Sequence, residues 1–548
     1  MDTDLSYANT PNSRQYVYKT NMQMLTQWAQ SFPEKEAFVE YDANAKRHSI
    51  TCQGLLEKSK EFGRYVASIG IRKGDTVAFC MNNSLNMLIS MFGVQFAGGI
   101  PISTMQSMAD RSDVIDTIRD HNSKLLVMDA KEGDQSWNMF ENVRSSEDTS
   151  LLGIIYNNTS TELFHHNFKE NANYVVNLTN TPEVQLPDLY PEDIAVYFKT
   201  SGSTGKPKLV GRSHFVFFNS TYLINDCLGI DSKSRFFCDR PFGWGVGSPR
   251  TFLASGATRV FVDSFLSMQQ KSIDLLSDII HKEKCTHVYL PGYLISDLLK
   301  SQGNEAKFSN VRAIKYSGER FQKQYTKLLG RFCKELVIWY GSAETAGVSA
   351  FSSQNSEEYE DGIIGKPLPG IEMKLIGENG NVVPMRQSGE LHVRSVYRFL
   401  EYKNMPEKFL DTVDNGNWLR TGDLAHIRAD GNFVLAGRAS DQMSVGSMKI
   451  FPQEVEKVLL NCPEVDAVIV VPVPDERFHH AICACIVLSK TKTADTDNMH
   501  EHFAHLWADN ALFKPKYYIP FEKLPANASG KTDRKMIAKM AASELNLS

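Results

Sequence analysis

A segment dense in serine, threonine and glycine, Tyr197-Phe-Lys-Thr-Ser-Gly-Ser-Thr-Gly-Lys-Pro-Lys208, follows an apolar run and carries lysines on its far side. Thr200, Ser201, Gly202, Ser203, Thr204, Gly205, Lys206 and Lys208 combine backbone freedom, N–H and hydroxyl donors and positive charge, the set needed to wrap phosphates. It is not a Walker A loop, because Gly202 and Gly205 enclose two residues where that motif needs four before its Gly-Lys. Tyr340-Gly-Ser-Ala-Glu-Thr345 follows the β-type run Leu336 to Trp339 and offers an aromatic face for a base and a carboxylate for Mg²⁺ on phosphates. Trp418-Leu-Arg-Thr-Gly-Asp423 presents a carboxylate in a tight turn, and Ala528-Ser-Gly-Lys-Thr-Asp-Arg534 puts Lys531 on a glycine-containing loop. Taken singly, each has a plain structural reading: a solvated loop, a core tyrosine, a turn aspartate, a surface lysine.

The elements that must position these residues alternate. Leu55, Leu56, Phe62, Val66 and Ile69 recur at near-helical spacing up to Gly70, and Asp75-Thr-Val-Ala-Phe-Cys reads as a buried strand. Ile273 to Ile280 reads as a helix leading into the strand Thr286-His-Val-Tyr-Leu and a Pro291-Gly292 break, with β runs at Ala313 to Tyr316 and Leu336 to Trp339. Alternation of this kind predicts an α/β fold with a largely parallel sheet, whose ligands sit beyond the C-terminal strand ends. The polar stretch from Asn142 to Pro191 reads as a connection. After Gly437-Arg438 the pattern restarts, with a helix from Pro452 to Leu460 and strands at Asp466 to Val471 and Ala481 to Leu488.

At 548 residues, more than one domain is expected. A net charge of -5 with no long basic run excludes a nucleic-acid partner. Nine scattered cysteines without a CxxC pair, and a start lacking a signal-peptide pattern, predict a reduced, cytoplasmic protein without a structural metal. The apolar window Met87 to Ile102, broken by glycines, is too short for a transmembrane segment and reads as a buried helix and strand.

In this order the segments resemble the adenylate-forming superfamily of acyl-CoA synthetases, aryl-acid ligases, luciferases and peptide-synthetase adenylation domains, most of all the acyl-CoA synthetases. The likeness spans nearly the whole chain: Gly70-Ile-Arg-Lys-Gly-Asp75, Met81-Asn-Asn-Ser84, the loop up to Lys208, Tyr340 to Glu344, Gly365-Lys-Pro-Leu-Pro-Gly370, Gly389-Glu-Leu391, Thr421-Gly-Asp423, Gly437-Arg438 and Ser529-Gly-Lys531. It implies an N-terminal AMP-binding domain over 1–437, made of two β/α subdomains plus a distorted β-barrel, a hinge at 438–441, and a small mobile α+β domain over 442–548. It also implies a ligase that uses ATP and Mg²⁺ to turn a fatty or aryl carboxylic acid into its acyl-adenylate and passes the acyl group to coenzyme A. A phosphopantetheine thiol of a carrier protein is the alternative acceptor, and a catalytically silent nucleotide- or acyl-binding homologue is a further alternative.

By that resemblance the loop from Thr200 to Lys208 holds the β- and γ-phosphates, and Glu344 binds Mg²⁺. Tyr340 stacks on adenine with Gly318, Glu319, Gly341 and Ser342 nearby, Asp423 takes the ribose hydroxyls, and Arg438 lies close to the nucleotide. Lys531 bridges the acyl carboxylate and the α-phosphate, while Trp244, Gly245 and Gly347 line the acyl pocket. Three positions depart from the family pattern. Ala343 stands where many members have Thr, Ser440 replaces the usual hinge Asp or Lys beside Asp441, and Ser447 replaces the second glycine of a pair in Val445-Gly-Ser-Met-Lys449.

Overall fold

The computed structural model describes the chain except residues 1–4, 106–110, 147–150, 159–162, 177, 179–180, 201–207, 264–265, 267–272, 446–447, 463, 476–478, 490–498, 508–512, 526–531 and 548. The helix Cys52–Ser68 opens on Thr51, whose hydroxyl accepts from Gly54 N, and it buries Leu55, Leu56, Phe62 and Val66. It leads into the strand Thr76–Met81, buried along its whole length. That pattern builds a nine-stranded sheet. Its parallel centre runs Ile194–Thr200, Ile100–Met105, Thr76–Met81, Leu125–Asp129, Gly153–Asn157, and the helices Cys52–Ser68 and Leu85–Phe96 pack together beside it.

The stretch expected to be a connection departs from that expectation. Gly153–Asn157 continues the parallel sheet, and Leu163–Asn167 and Ala172–Val175 extend it as antiparallel edge strands. These runs are short and set among polar residues, so composition averaged over the region conceals them.

A second, fourteen-stranded sheet has a parallel half and an antiparallel half. The parallel half, edged by the antiparallel strand Arg47–Thr51, runs Glu36–Tyr41, Thr258–Val262, Arg235–Phe237, His287–Tyr289, Ala313–Ser317, Glu335–Ser342. The chain then reverses into Ala346–Ser353 and continues antiparallel through Ile363–Pro367, Phe433–Arg438, Leu419–Ile427, Gly389–Ser395, Ile371–Ile376 and Tyr7–Thr10. This half curls back on itself: Thr10 Oγ1 donates to Pro367 O at 2.7 Å, and Gly370 N donates to Thr10 O at 2.7 Å. It is the distorted barrel of the expected fold.

After Arg438 a short turn, Ala439–Asp441, leads to a small hairpin and the helix Pro452–Leu460. The sheet of Val465–Asp475, His479–Leu488 and Tyr517–Pro520 follows, then the helix Arg534–Glu544. This smaller unit has its own core, including Val455, Leu459, Val470, Ile482, Phe503 and Trp507. Glu456 ties it together, accepting from Val470 N at 2.8 Å and from Arg534 Nη1 at 2.5 Å. Among the described residues no helix is long and apolar enough to cross a membrane.

Candidate active site

The phosphate-type loop closes an antiparallel hairpin between Ile194–Thr200 and Lys208–Ser213, where Thr200 faces Lys208. Ser201, Gly202, Ser203, Thr204, Gly205 and Lys206 lie outside the described residues. At the base of the loop, Lys208 Nζ sits 4.6 Å from the centroid of the Tyr402 ring. The Tyr402 hydroxyl donates to Glu344 Oε1 at 3.0 Å. Burial, and then the Glu344 charge, raise the Tyr402 phenol, so it stays a donor at neutral pH. A residue from the loop base and the carboxylate from the second sheet therefore meet on one tyrosine.

Glu344 is held by its backbone. Ser342 Oγ accepts from Glu344 N and Thr345 N, each at 3.1 Å, and Phe399 N donates to Glu344 O at 2.8 Å. The buried Arg212 braces the turn, giving Nε to Ala343 O at 2.9 Å and Nη2 to Ser342 O at 2.8 Å. Burial and the Arg250 charge push its guanidinium down to about 9, against the pull of Glu344. Ala343, the position without the common hydroxyl, thus contributes its carbonyl to Arg212, while the neighbouring Ser342 hydroxyl is used within the turn.

On the other side, the register Ser317↔Trp339 sets Gly318 and Glu319 beside Tyr340 and Gly341 at the C-terminal ends of parallel strands. Gly318 has φ +95°, a conformation that favours glycine. The Tyr340 hydroxyl donates to Asp423 Oδ2 at 2.6 Å, and Arg438 Nε meets Asp423 Oδ1 at 2.8 Å. Asp423 does not stand in the tight turn expected for it but inside the strand Leu419–Ile427, opposite Arg438, after Gly422 with its φ of +72°; Thr421 Oγ1 accepts from Asp423 N at 3.0 Å. Burial first, then the Asp423 charge, raise the Tyr340 phenol well above its ordinary value. Arg438 is raised because Asp423, Tyr340 and Glu344 together outweigh its desolvation.

Gly245 faces open space, and the Trp244 carbonyl accepts from Gly247 N at 3.0 Å and Ser248 N at 2.8 Å. Gly347 pairs across from Gly341, and a β-carbon there would land inside the ring of Trp339. Its missing side chain is space filled by that indole. Lys531 lies outside the described residues, but the ends of its loop are joined, with Asp533 N donating to Pro525 O at 2.9 Å. Ser447 also lies outside them. Nothing local in the sequence singles out Tyr402, and the one signal for Arg212 is a lone cation inside the apolar strand Leu209-Val-Gly-Arg.

Glu344 is suited to a Mg²⁺ carried by phosphates. Tyr402 holds one of its carboxylate oxygens, and Mg²⁺ is usually bound by one or two carboxylates with substrate phosphates and water. Among the described residues no group of three or more His, Cys, Asp or Glu makes an all-protein metal cage. Tyr340 and Asp423 offer a ring and a paired carboxylate to a nucleoside.

The AMP-binding enzyme family profile matches residues 25–403, and that of the AMP-binding enzyme C-terminal domain matches 454–531. The chain is 25% identical to the mitochondrial medium-chain acyl-CoA ligase ACSF2 of Mus musculus, over 99% of this chain and 91% of that one. It is 24% identical to gramicidin S synthase 2 of Brevibacillus brevis over 96% of this chain and 11% of that protein. Its fold is similar to that of the anthranilate CoA ligase AuaEII in complex with anthranoyl-AMP, with a TM-score of 0.82 at 20% identity, covering 97% and 99% of the two chains.

Proposed function

The chain belongs to the AMP-binding enzyme family, and we propose that it joins a carboxylic acid to the α-phosphate of ATP, releasing pyrophosphate, and then passes the acyl group to the thiol of coenzyme A with loss of AMP. The observation that carries this reading is that Lys208 and Tyr402 of one sheet meet Glu344 of the other, whose charge in turn reaches Arg438, paired with Asp423 and through it with Tyr340. The first group meets phosphates, the second a nucleoside.

In the adenylation step one carboxylate oxygen of the acid attacks the α-phosphorus and pyrophosphate leaves. Both partners are anionic, so the site must supply positive charge where charge builds. We assign that task to Lys531, with the loop from Thr200 to Lys208 on the β- and γ-phosphates, joined by Gly341 and Ser342 at the end of their strand. Mg²⁺, when bound at Glu344, supplies charge neutralisation on the departing pyrophosphate. Asp423 takes the ribose hydroxyls, Tyr340 with Gly318 and Glu319 takes the base, and Arg438 holds Asp423 in place. Trp244, Gly245 and Gly347 border the acyl pocket. The turn at 438–441 serves as the hinge between residues 1–437 and 442–548, and a shift of the smaller unit about it delivers Lys531.

Asp423→Ala should raise the KM for ATP about tenfold with a smaller change in kcat, because a ground-state nucleoside contact is removed together with the anchor of Arg438. Steady-state kinetics in ATP check this, and an unchanged KM would remove Asp423 from the ribose site.

A carrier-protein thiol is the second acceptor, favoured by Ser447 in place of a glycine and by the likeness to gramicidin S synthase 2. The nine cysteines are free thiols, which supports a reducing cytoplasmic setting. Pyrophosphate release across aliphatic, aryl and amino acids, with and without coenzyme A, tests the reading. Acid-dependent release with a coenzyme A thioester as product is expected; release with no thioester turns the assignment to a carrier protein, and no release with any acid leaves a silent homologue.

A further inference from the structure

Lys315 stands inside the parallel strand Ala313–Ser317, three residues before Gly318, which borders the proposed nucleotide site. Alternate residues of a strand share a face, and the registers Tyr289↔Lys315 and Ser317↔Trp339 put Tyr289, Lys315 and Trp339 on the same one. The Lys315 Nζ lies 5.9 Å from the Tyr289 ring centroid and 5.6 Å from that of Trp339. Lys315 is 5% exposed, and among the described residues its ammonium has no hydrogen bond and no ion pair.

Its charged neighbours have the same sign. Burial, then the charges of Arg250 and Arg259, push Lys315 down to about 7. Arg250, first residue of the helix Arg250–Ser255, is 9% exposed and likewise has no side-chain partner among the described residues. Arg259 gives Nε to Cys238 O at 2.8 Å and Nη2 to Gly247 O at 3.2 Å, and its Nη1 has no partner among the described residues. The Arg250 charge also bears on Arg212, which braces the Glu344 turn. The carboxylate of this segment, Asp239, is already taken by Arg240, with Nε to Oδ1 at 3.0 Å and Nη2 to Oδ2 at 2.7 Å. Burying cations without carboxylates is costly, and groups kept in that state are candidates for meeting an anionic ligand. Gly245, in the segment leading into Arg250 and assigned above to the border of the acyl pocket, faces open space.

We propose that the acid activated by this protein carries a second carboxylate, which seats against Lys315 and Arg250 while the first reacts at the Glu344 end of the site. The inference rests on the adenylation reading above and names its substrate class as dicarboxylic acids. A bare hydrocarbon chain or an unsubstituted aryl ring would leave these cations unmatched.

The test is acid-dependent ATP–pyrophosphate exchange with matched pairs, in which straight-chain and aromatic diacids are each compared with the monoacid carrying a methyl group in place of one carboxylate. In the unaltered enzyme the best diacid should exceed its partner in kcat/KM by about tenfold or more, since an unmatched buried polar site discriminates strongly. Lys315→Met should lower kcat/KM for the diacid about 100-fold, chiefly through KM, and leave the monoacid within about threefold; Arg250→Met should act in the same direction and Lys315→Arg should retain part of the preference. An unchanged thermal midpoint for at least one neutral variant shows that the fold is intact. Monoacids used as well as their diacid partners, or equal losses for both in the neutral variants, would overturn the second-carboxylate inference alone. Exchange with no acid of either kind would overturn the adenylation reading and this inference with it.

Discussion

Lys531→Ala should lower acid-dependent pyrophosphate release by roughly 100-fold or more, because the loss of a cation placed on developing transition-state charge costs a few kcal/mol of barrier. The effect should fall on kcat for adenylation. Thioester formation from acyl-adenylate supplied ready-made should be far less affected, since that step no longer brings a carboxylate against a phosphate. The fold should be indifferent to the change. The loop carrying Lys531 is anchored by groups outside it: Asp533 N on Pro525 O, the Asp533 side chain on Met536 N, and Arg534 on Glu456 and Val470 O. Measuring both half-reactions in the same variant separates the assigned role from a general loss of activity, and near-normal adenylation would refute it.

Glu344→Gln should reduce adenylation by about 100-fold, with partial recovery at high Mg²⁺. Glutamine keeps the shape and the carbonyl oxygen that accepts from Tyr402, so the turn held by Ser342, Thr345 and Arg212 should persist. What disappears is the negative charge that draws a divalent ion to the pyrophosphate side. Tyr402→Phe, which leaves that charge in place and removes only its hydroxyl partner, should cost no more than about fivefold. Titrating Mg²⁺ at fixed ATP distinguishes the two: a raised Mg²⁺ requirement is expected for Glu344→Gln, and an unaltered one would show that this carboxylate does not serve the metal.

The segments proposed for this site are readable as segments where they follow a strand and carry their chemistry locally, as at Tyr340 and Gly318, and less so at Asp423, which lies within a strand. The runs preceding Tyr340 and Gly318 read as strands, and the helix Pro452–Leu460 has the bounds its pattern predicts. What was illegible depends on long-range contacts. Arg212 meets Ala343 and Ser342 across about 130 positions of chain, and Tyr402 meets Glu344 across 58. A single arginine or lysine in an apolar strand looks like an isolated charge until the fold sets Lys315 and Arg259, on strands, and Arg250, at the start of a helix, where the charges of the two arginines bear on the lysine. Gly347 shows the reverse. The resemblance implies an acyl-pocket role for it, and the tertiary structure adds a packing reason in the Trp339 ring.

The central claim is that an acyl-adenylate forms, and its most direct test follows the oxygen that the carboxylate contributes to the phosphorus. With an acid labelled with oxygen-18 in its carboxylate, and a thiol acceptor present to complete the turnover, mass spectrometry should find one labelled oxygen in the released AMP and none in pyrophosphate. Label absent from AMP, or ADP and phosphate as products in place of AMP and pyrophosphate, would contradict it.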